Sequence, residues 1–132
     1  MINFDNLKAK IKKHAYNFDV NRIQLAFEFA AHAHEGQKRF SGEPYITHPI
    51  EVAIKVLDFY PDEDMVVAAL LHDVSEDTDR TLEDIEDVFG PTVSNLVRGL
   101  EKLSKVRSRI DEPEIENLRK MFVSMATDIR VI

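Results

Sequence analysis

Leu70-Leu71-His72-Asp73-Val74-Ser75-Glu76-Asp77-Thr78 is an apolar run that ends in one histidine and three carboxylates within six positions. On an α-helix, residues three and four apart share a face. That spacing puts His72 over Glu76, and Asp73 beside Glu76 and Asp77. The lead-in, Met65-Val66-Val67-Ala68-Ala69-Leu70-Leu71, has no polar face, and a helix apolar all round belongs in a core. The expectation is a buried helix with negative charge at its C-terminal end, where the helix dipole is also negative. A bound cation would relieve that charge.

The 132 residues are enough for one domain with a substantial core. A hydrophobic content of 44% beside 31% charged residues is that of a globular chain. With no cysteine, disulfides and thiolate metal sites are excluded, in keeping with the cytosol. No apolar run approaches the ~20 residues that span a bilayer, so no membrane partner is expected. The net charge of -7 is uneven: residues 62–87 hold eleven carboxylates against Arg80. An acidic whole speaks against general nucleic-acid binding, which needs a basic face. It leaves room for a small anion held through a metal.

No repeat or flexible linker interrupts the chain, and every segment reads as helical. Asn6 to Asn17 forms a helix with a solvated basic side (Lys8, Lys10, Lys12, Lys13). Residues 20–35 form another, with Ile23, Ala26, Phe27, Ala30 and Ala31 at helical spacing and Gly36 past its end. Residues 36–47 are a loop. A helix then starts at Thr47-His48-Pro49, runs to about Tyr60 and stops at Pro61, and Asp62 caps the central helix. Thr81 and Asp84 form a capping box for an acidic helix ending at Gly90-Pro91. A further helix covers 92–105, a charged stretch runs from Lys105 to Pro113, and a last helix carries Leu118, Met121, Phe122, Met125 and Ile129.

His72-Asp73 alone is as well read as a core histidine beside a surface aspartate. Glu76 and Asp77 on the same face bring the metal reading level, because buried carboxylates are costly without a partner. Imidazole and carboxylate donors without thiolate suit Mn, Fe or Zn. His48 is either a further ligand or an ordinary residue near a helix start. His32 and His34, two apart, read as packing or surface residues. Arg39 could stack on a base or meet a phosphate, or be a solvated loop residue.

Two long motifs add to this: Gly36-Gln37-Lys38-Arg39-Phe40-Ser41-Gly42-Glu43-Pro44-Tyr45-Ile46-Thr47-His48-Pro49, and Ala69 through Thr78. Together they resemble the hydrolase domain of the RelA/SpoT homologues, enzymes of the stringent response that make and degrade the alarmones ppGpp and pppGpp. The likeness continues in Phe89-Gly90, Glu116-Asn117-Leu118-Arg119-Lys120-Met121 and Met125-Ala126-Thr127-Asp128-Ile129-Arg130-Val131.

The resemblance implies an all-α, HD-type metal-dependent phosphohydrolase fold in a single domain over residues 1–132. It implies removal of the alarmone's 3′-pyrophosphate with Mn2+, leaving GDP or GTP. His48, His72 and Asp73 fall on metal ligands, and Glu76 and Asp77 on the acidic pair that orients or deprotonates the attacking water. Arg39 falls on the residue that packs on guanine, with Ser41 in the same nucleotide-binding loop. Phe40 departs from a usual lysine or serine, and Ser75 from a usual aliphatic residue.

Family members continue past Ile132 into an Ala-Asp-Arg segment and a His-Asn pair that supply a fourth ligand and a guanine contact. Asp128 falls before that ligand. The expectation is therefore an incomplete domain with impaired turnover. The apolar end at Val131-Ile132 could pack against a second copy. Other readings are a synthetase (GTP pyrophosphokinase) fragment with a regulatory HD domain, a different HD-type nucleotide phosphohydrolase, or an interaction domain without catalysis.

Overall fold

Seven consecutive residues without a polar side chain have to be surrounded, and Met65 to Leu71 are wholly buried. The computed structural model describes residues 3–14, 16–38, 42–59 and 61–107. It is all-α, with the helices α1 (Phe4–Lys13), α2 (Val20–Ala33), α3 (Thr47–Phe59), α4 (Glu63–Leu71), α5 (Val74–Asp77), α6 (Leu82–Phe89) and α7 (Pro91–Arg107). The central α4 packs against α3, α2 and α7, while α6 packs on α7 and α1 on α3. The sleeve around α4 is apolar: Ile23, Ala26 and Ala30 from α2, Val52, Ala53 and Val56 from α3, and Val93, Leu96 and Val97 from α7.

Local caps set most of the boundaries. Asp62 accepts a hydrogen bond from the Met65 amide at 3.1 Å and opens α4. Thr81 and Asp84 exchange bonds in a capping box that opens α6, and Gly90, at φ +94°, closes it. The first helix differs from the sequence expectation. Asn3 and Asn6 form a capping box, so Asn6 is the third helical residue and α1 starts at Phe4. It ends at Lys13 rather than Asn17. The reading of Lys10 as solvated is also corrected: its ammonium bonds Asp58 at 2.6 Å and the Ile54 carbonyl at 3.1 Å, tying α1 to α3.

The acidic start of α4 is compensated from a distance. Arg22 of α2 donates to Glu63 at 2.8 Å and to Asp64 at 2.7 Å, and Glu63 also accepts the Asp19 amide. Partial burial alone would lower the Arg22 pKa, but the bonds to Asp64 and Glu63 outweigh it and raise it.

The main correction concerns the end of the central helix, which does not run on through Thr78. It stops at Leu71, His72 and Asp73 form a turn, and α5 begins at Val74. The cause is local. An unbroken helix would bring the Asp73 amide to the Ala69 carbonyl. That oxygen instead accepts His72 Nδ1–H at 2.6 Å and, three residues on rather than four, the His72 amide at 3.5 Å, a side-chain bond that competes with the helical ladder. The helix then restarts with Asp77 N–H on the Asp73 carbonyl at 3.0 Å.

The charged stretch beyond Arg107, the last helix and the C-terminal end offered as a contact with a second copy lie outside the described residues. Among the described residues no helix is long and apolar enough to cross a membrane.

Core position and exposure set the expected stability effects. Leu70→Ala, in the fully enclosed α4, should cost about 2–5 kcal/mol. Leu25→Ala, at a position 46% exposed, should stay within about 0.5 kcal/mol. Urea titrations of the two variants check the difference.

Candidate metal centre

Three of the five histidines, His34, His48 and His72, are buried, and all three gather at one end of α4. The turn at His72-Asp73 aims both side chains at the start of α3. There Thr47 bonds the Pro44 carbonyl through both its amide and its hydroxyl, and the His48 amide bonds the Tyr45 carbonyl. His48 is thus fixed in the first turn of α3.

His72 Nε2 lies 3.1 Å from Asp73 Oδ2, and His48 Nε2 lies 3.6 Å from the same oxygen. The two imidazoles meet edge to face at 5.3 Å between centroids. One donor atom from each of His48, His72 and Asp73 lies within 4.8 Å of the others.

The Ala69 carbonyl can only accept, so Nδ1 of His72 carries its hydrogen. A neutral His72 then turns the lone pair of Nε2 toward a carboxylate oxygen, which is repulsive unless a positive charge stands between them. A metal-ligating histidine with its other nitrogen bonded to a backbone carbonyl is the usual arrangement. The donor set therefore fits a divalent cation of the kind that imidazole and carboxylate share. Burial by itself would raise the Asp73 pKa, but positive charge on His72 and His48 when they are protonated, together with the Tyr45 hydroxyl, holds it well below the usual carboxylate range, and a cation between neutral rings would supply the same charge.

Glu76 and Asp77 follow the turn on α5, where the Asp77 amide bonds the Asp73 carbonyl one helical turn back, and both are exposed. They line an open groove of about 570 Å3 with Ser75, Thr81, Leu82 and Glu101. The Ser75 hydroxyl is buried there with no hydrogen-bond partner among the described residues. Arg39, Phe40 and Ser41 lie outside the described residues.

Tyr45 was not singled out as a site residue in the sequence, yet its hydroxyl donates to Asp73 Oδ2 at 2.6 Å. His34, expected to be a packing or surface residue, is 2% exposed and packs its ring on Tyr45 at 4.7 Å. Burial lowers the His34 pKa against the opposing pull of Gln37, Asp73 and Asp77, which keeps the ring neutral near a cation site. The signal available in the sequence was position: His34 and Gln37 lie on either side of Gly36, whose φ of +85° falls just past the end of α2.

A protein-family model described as HD domain matches residues 26–132. The bifunctional (p)ppGpp synthase/hydrolase SpoT of Escherichia coli K12 is 45% identical over 98% of this chain, which covers 18% of that protein. A probable guanosine-3′,5′-bis(diphosphate) 3′-pyrophosphohydrolase of Synechocystis is 52% identical over 83% of the chain, covering 15% of that protein. The chain thus spans less than a fifth of the length of these relatives. A solved structure described as a metazoan ortholog of SpoT that hydrolyzes ppGpp is 32% identical, with a TM-score of 0.58. It covers 83% of this chain and is itself covered over 71%.

Metal removal gives a direct check on the donor set. Adding manganese, iron or zinc to chelator-treated protein should raise its melting temperature, by about 2.7 kcal/mol of stability at a hundredfold excess over Kd. His72→Ala and Asp73→Ala should abolish most of that rise in differential scanning calorimetry.

Proposed function

The chain belongs to the HD domain family and, within it, to the RelA/SpoT homologues, and we propose that it is the manganese-dependent 3′-pyrophosphohydrolase unit for ppGpp and pppGpp. The observation that carries this reading is the approach of two imidazole Nε2 atoms to one Asp73 oxygen, in a helical domain similar to enzymes named for that activity. The reading takes residues 1–132 as belonging to one hydrolase domain.

In this proposal His48, His72 and Asp73 hold the ion. When bound, manganese supplies positive charge to a phosphoryl oxygen and acidifies water. Asp73 is suited to the task because it stays ionised while buried. The Ala69 carbonyl keeps the His72 lone pair at Nε2.

Glu76 and Asp77 are the general acid–base pair. Their exposure on the groove with Thr81 and Leu82 leaves their carboxylates able to take a proton from an entering water. The water oxygen bonds to the phosphorus attached to the ribose 3′ oxygen. That P–O bond breaks, and pyrophosphate leaves while the 3′ oxygen gains a proton. Arg39 stacks on the guanine and Ser41 belongs to the same nucleotide loop. The cytoplasm, where guanine nucleotides are made and used, is the compartment this reading implies.

Incubation with ppGpp and manganese should yield GDP and pyrophosphate, and a chelator should stop the reaction. Asp77→Asn should lower kcat by about 10²-fold or more while the metal-induced rise in melting temperature remains. Chromatography of the nucleotide products checks both. Absence of GDP, or equal turnover of deoxynucleoside triphosphates, would count against the proposal.

A further inference from the structure

Behind Asp73 a polar chain extends further than three metal donors require. The Tyr45 hydroxyl donates at 2.6 Å to Oδ2, the oxygen approached by both imidazoles. The Tyr45 ring is held between His34, at 4.7 Å, and His48, at 5.8 Å. Gln37 then connects this ring to the acidic turn. Its Nε2 donates to the Asp77 carbonyl at 2.8 Å, its Oε1 accepts His34 Nδ1–H at 3.1 Å, and its own carbonyl accepts the Tyr45 amide at 2.9 Å. The orientation of the amide follows from its partners: the Asp77 carbonyl can only accept, so Nε2 faces Asp77 and Oε1 faces His34.

We propose that Tyr45 and Gln37 are positioning residues, a brace that sets the Asp73 carboxylate for metal and fixes the Asp77 turn relative to it. The proposal rests on the metal-centre reading above. An aspartate carboxylate can rotate about two side-chain bonds, and the Tyr45 hydroxyl fixes one oxygen in place. The ring that carries the hydroxyl is itself immobilised by two buried histidines. Gln37 closes the unit by holding the tyrosine backbone with one group and the acidic turn with another, so a shift of α5 is transmitted to the ligand. Outer-shell groups of this kind orient ligands, and their loss typically costs 10–100-fold in metal affinity or activity.

The test is manganese affinity of the full chain, read from the electron paramagnetic resonance signal of unbound manganese. It compares the natural chain with Tyr45→Phe, Gln37→Met and the double variant. Tyr45→Phe keeps the ring and removes only the hydroxyl, and should weaken binding about 10–100-fold with the helical circular dichroism of the metal-free protein unchanged. Gln37→Met, similar in length, should weaken binding several-fold and add little on top of Tyr45→Phe, because it acts through the same unit. Unchanged affinity in Tyr45→Phe, or strictly additive losses in the double variant, would overturn the brace while leaving the metal centre in place. If the natural chain itself binds no manganese, the metal-centre reading falls and the brace falls with it.

Discussion

The hydrogen bond from His72 Nδ1 to the Ala69 carbonyl, at 2.6 Å, is the contact on which the rest of the site depends. The same carbonyl accepts the His72 amide at 3.5 Å, a bond three residues back that closes α4 at Leu71. The side-chain bond leaves Nε2 of His72 directed at Asp73. The chain then restarts as α5 with the Asp77 amide on the Asp73 carbonyl. The run of charge thus consists of a largely buried Asp73 and an exposed Glu76 and Asp77.

The apolar sleeve gives that donor set its strength. Seven buried residues of α4 sit between α2, α3 and α7, and the cluster lies at the end of this apolar column. Asp73 is only 17% exposed at its side chain, and charges act more strongly on each other when water is excluded. The opposite end of α4 is handled separately, by Arg22 against Glu63 and Asp64. Each end of the central helix therefore has its own charge balance.

Much of the fold was legible because it is set locally. Asp62, the Thr81–Asp84 box and Gly90-Pro91 mark helix ends through bonds between residues at most four apart, and the buried faces follow helical spacing. What was not legible depends on distant partners. Arg22 meets α4 some forty residues away, Lys10 meets α3 at a similar distance, and Tyr45 reaches Asp73 across 28 positions. The break at His72 was missed for another reason. Periodicity describes side chains on an intact ladder, and here a side chain competes for the ladder's own acceptor. The grouping of His48 with His72 and Asp73 came from the two long motifs taken together, since spacing along the chain gives no measure of the approach of α3 to α4.

The group that accepts from His72 belongs to the peptide backbone. A substitution survey of the site would record Ala69 as a small core residue, valued only for its volume, because a substitution there changes the side chain and not the carbonyl group itself. The arrangement is in this sense hidden from mutation and shielded from it. What can disturb it is a change in the path of the main chain between Ala69 and Asp73. The evolutionary freedom of the site is thus set by backbone geometry as much as by the identity of its ligands.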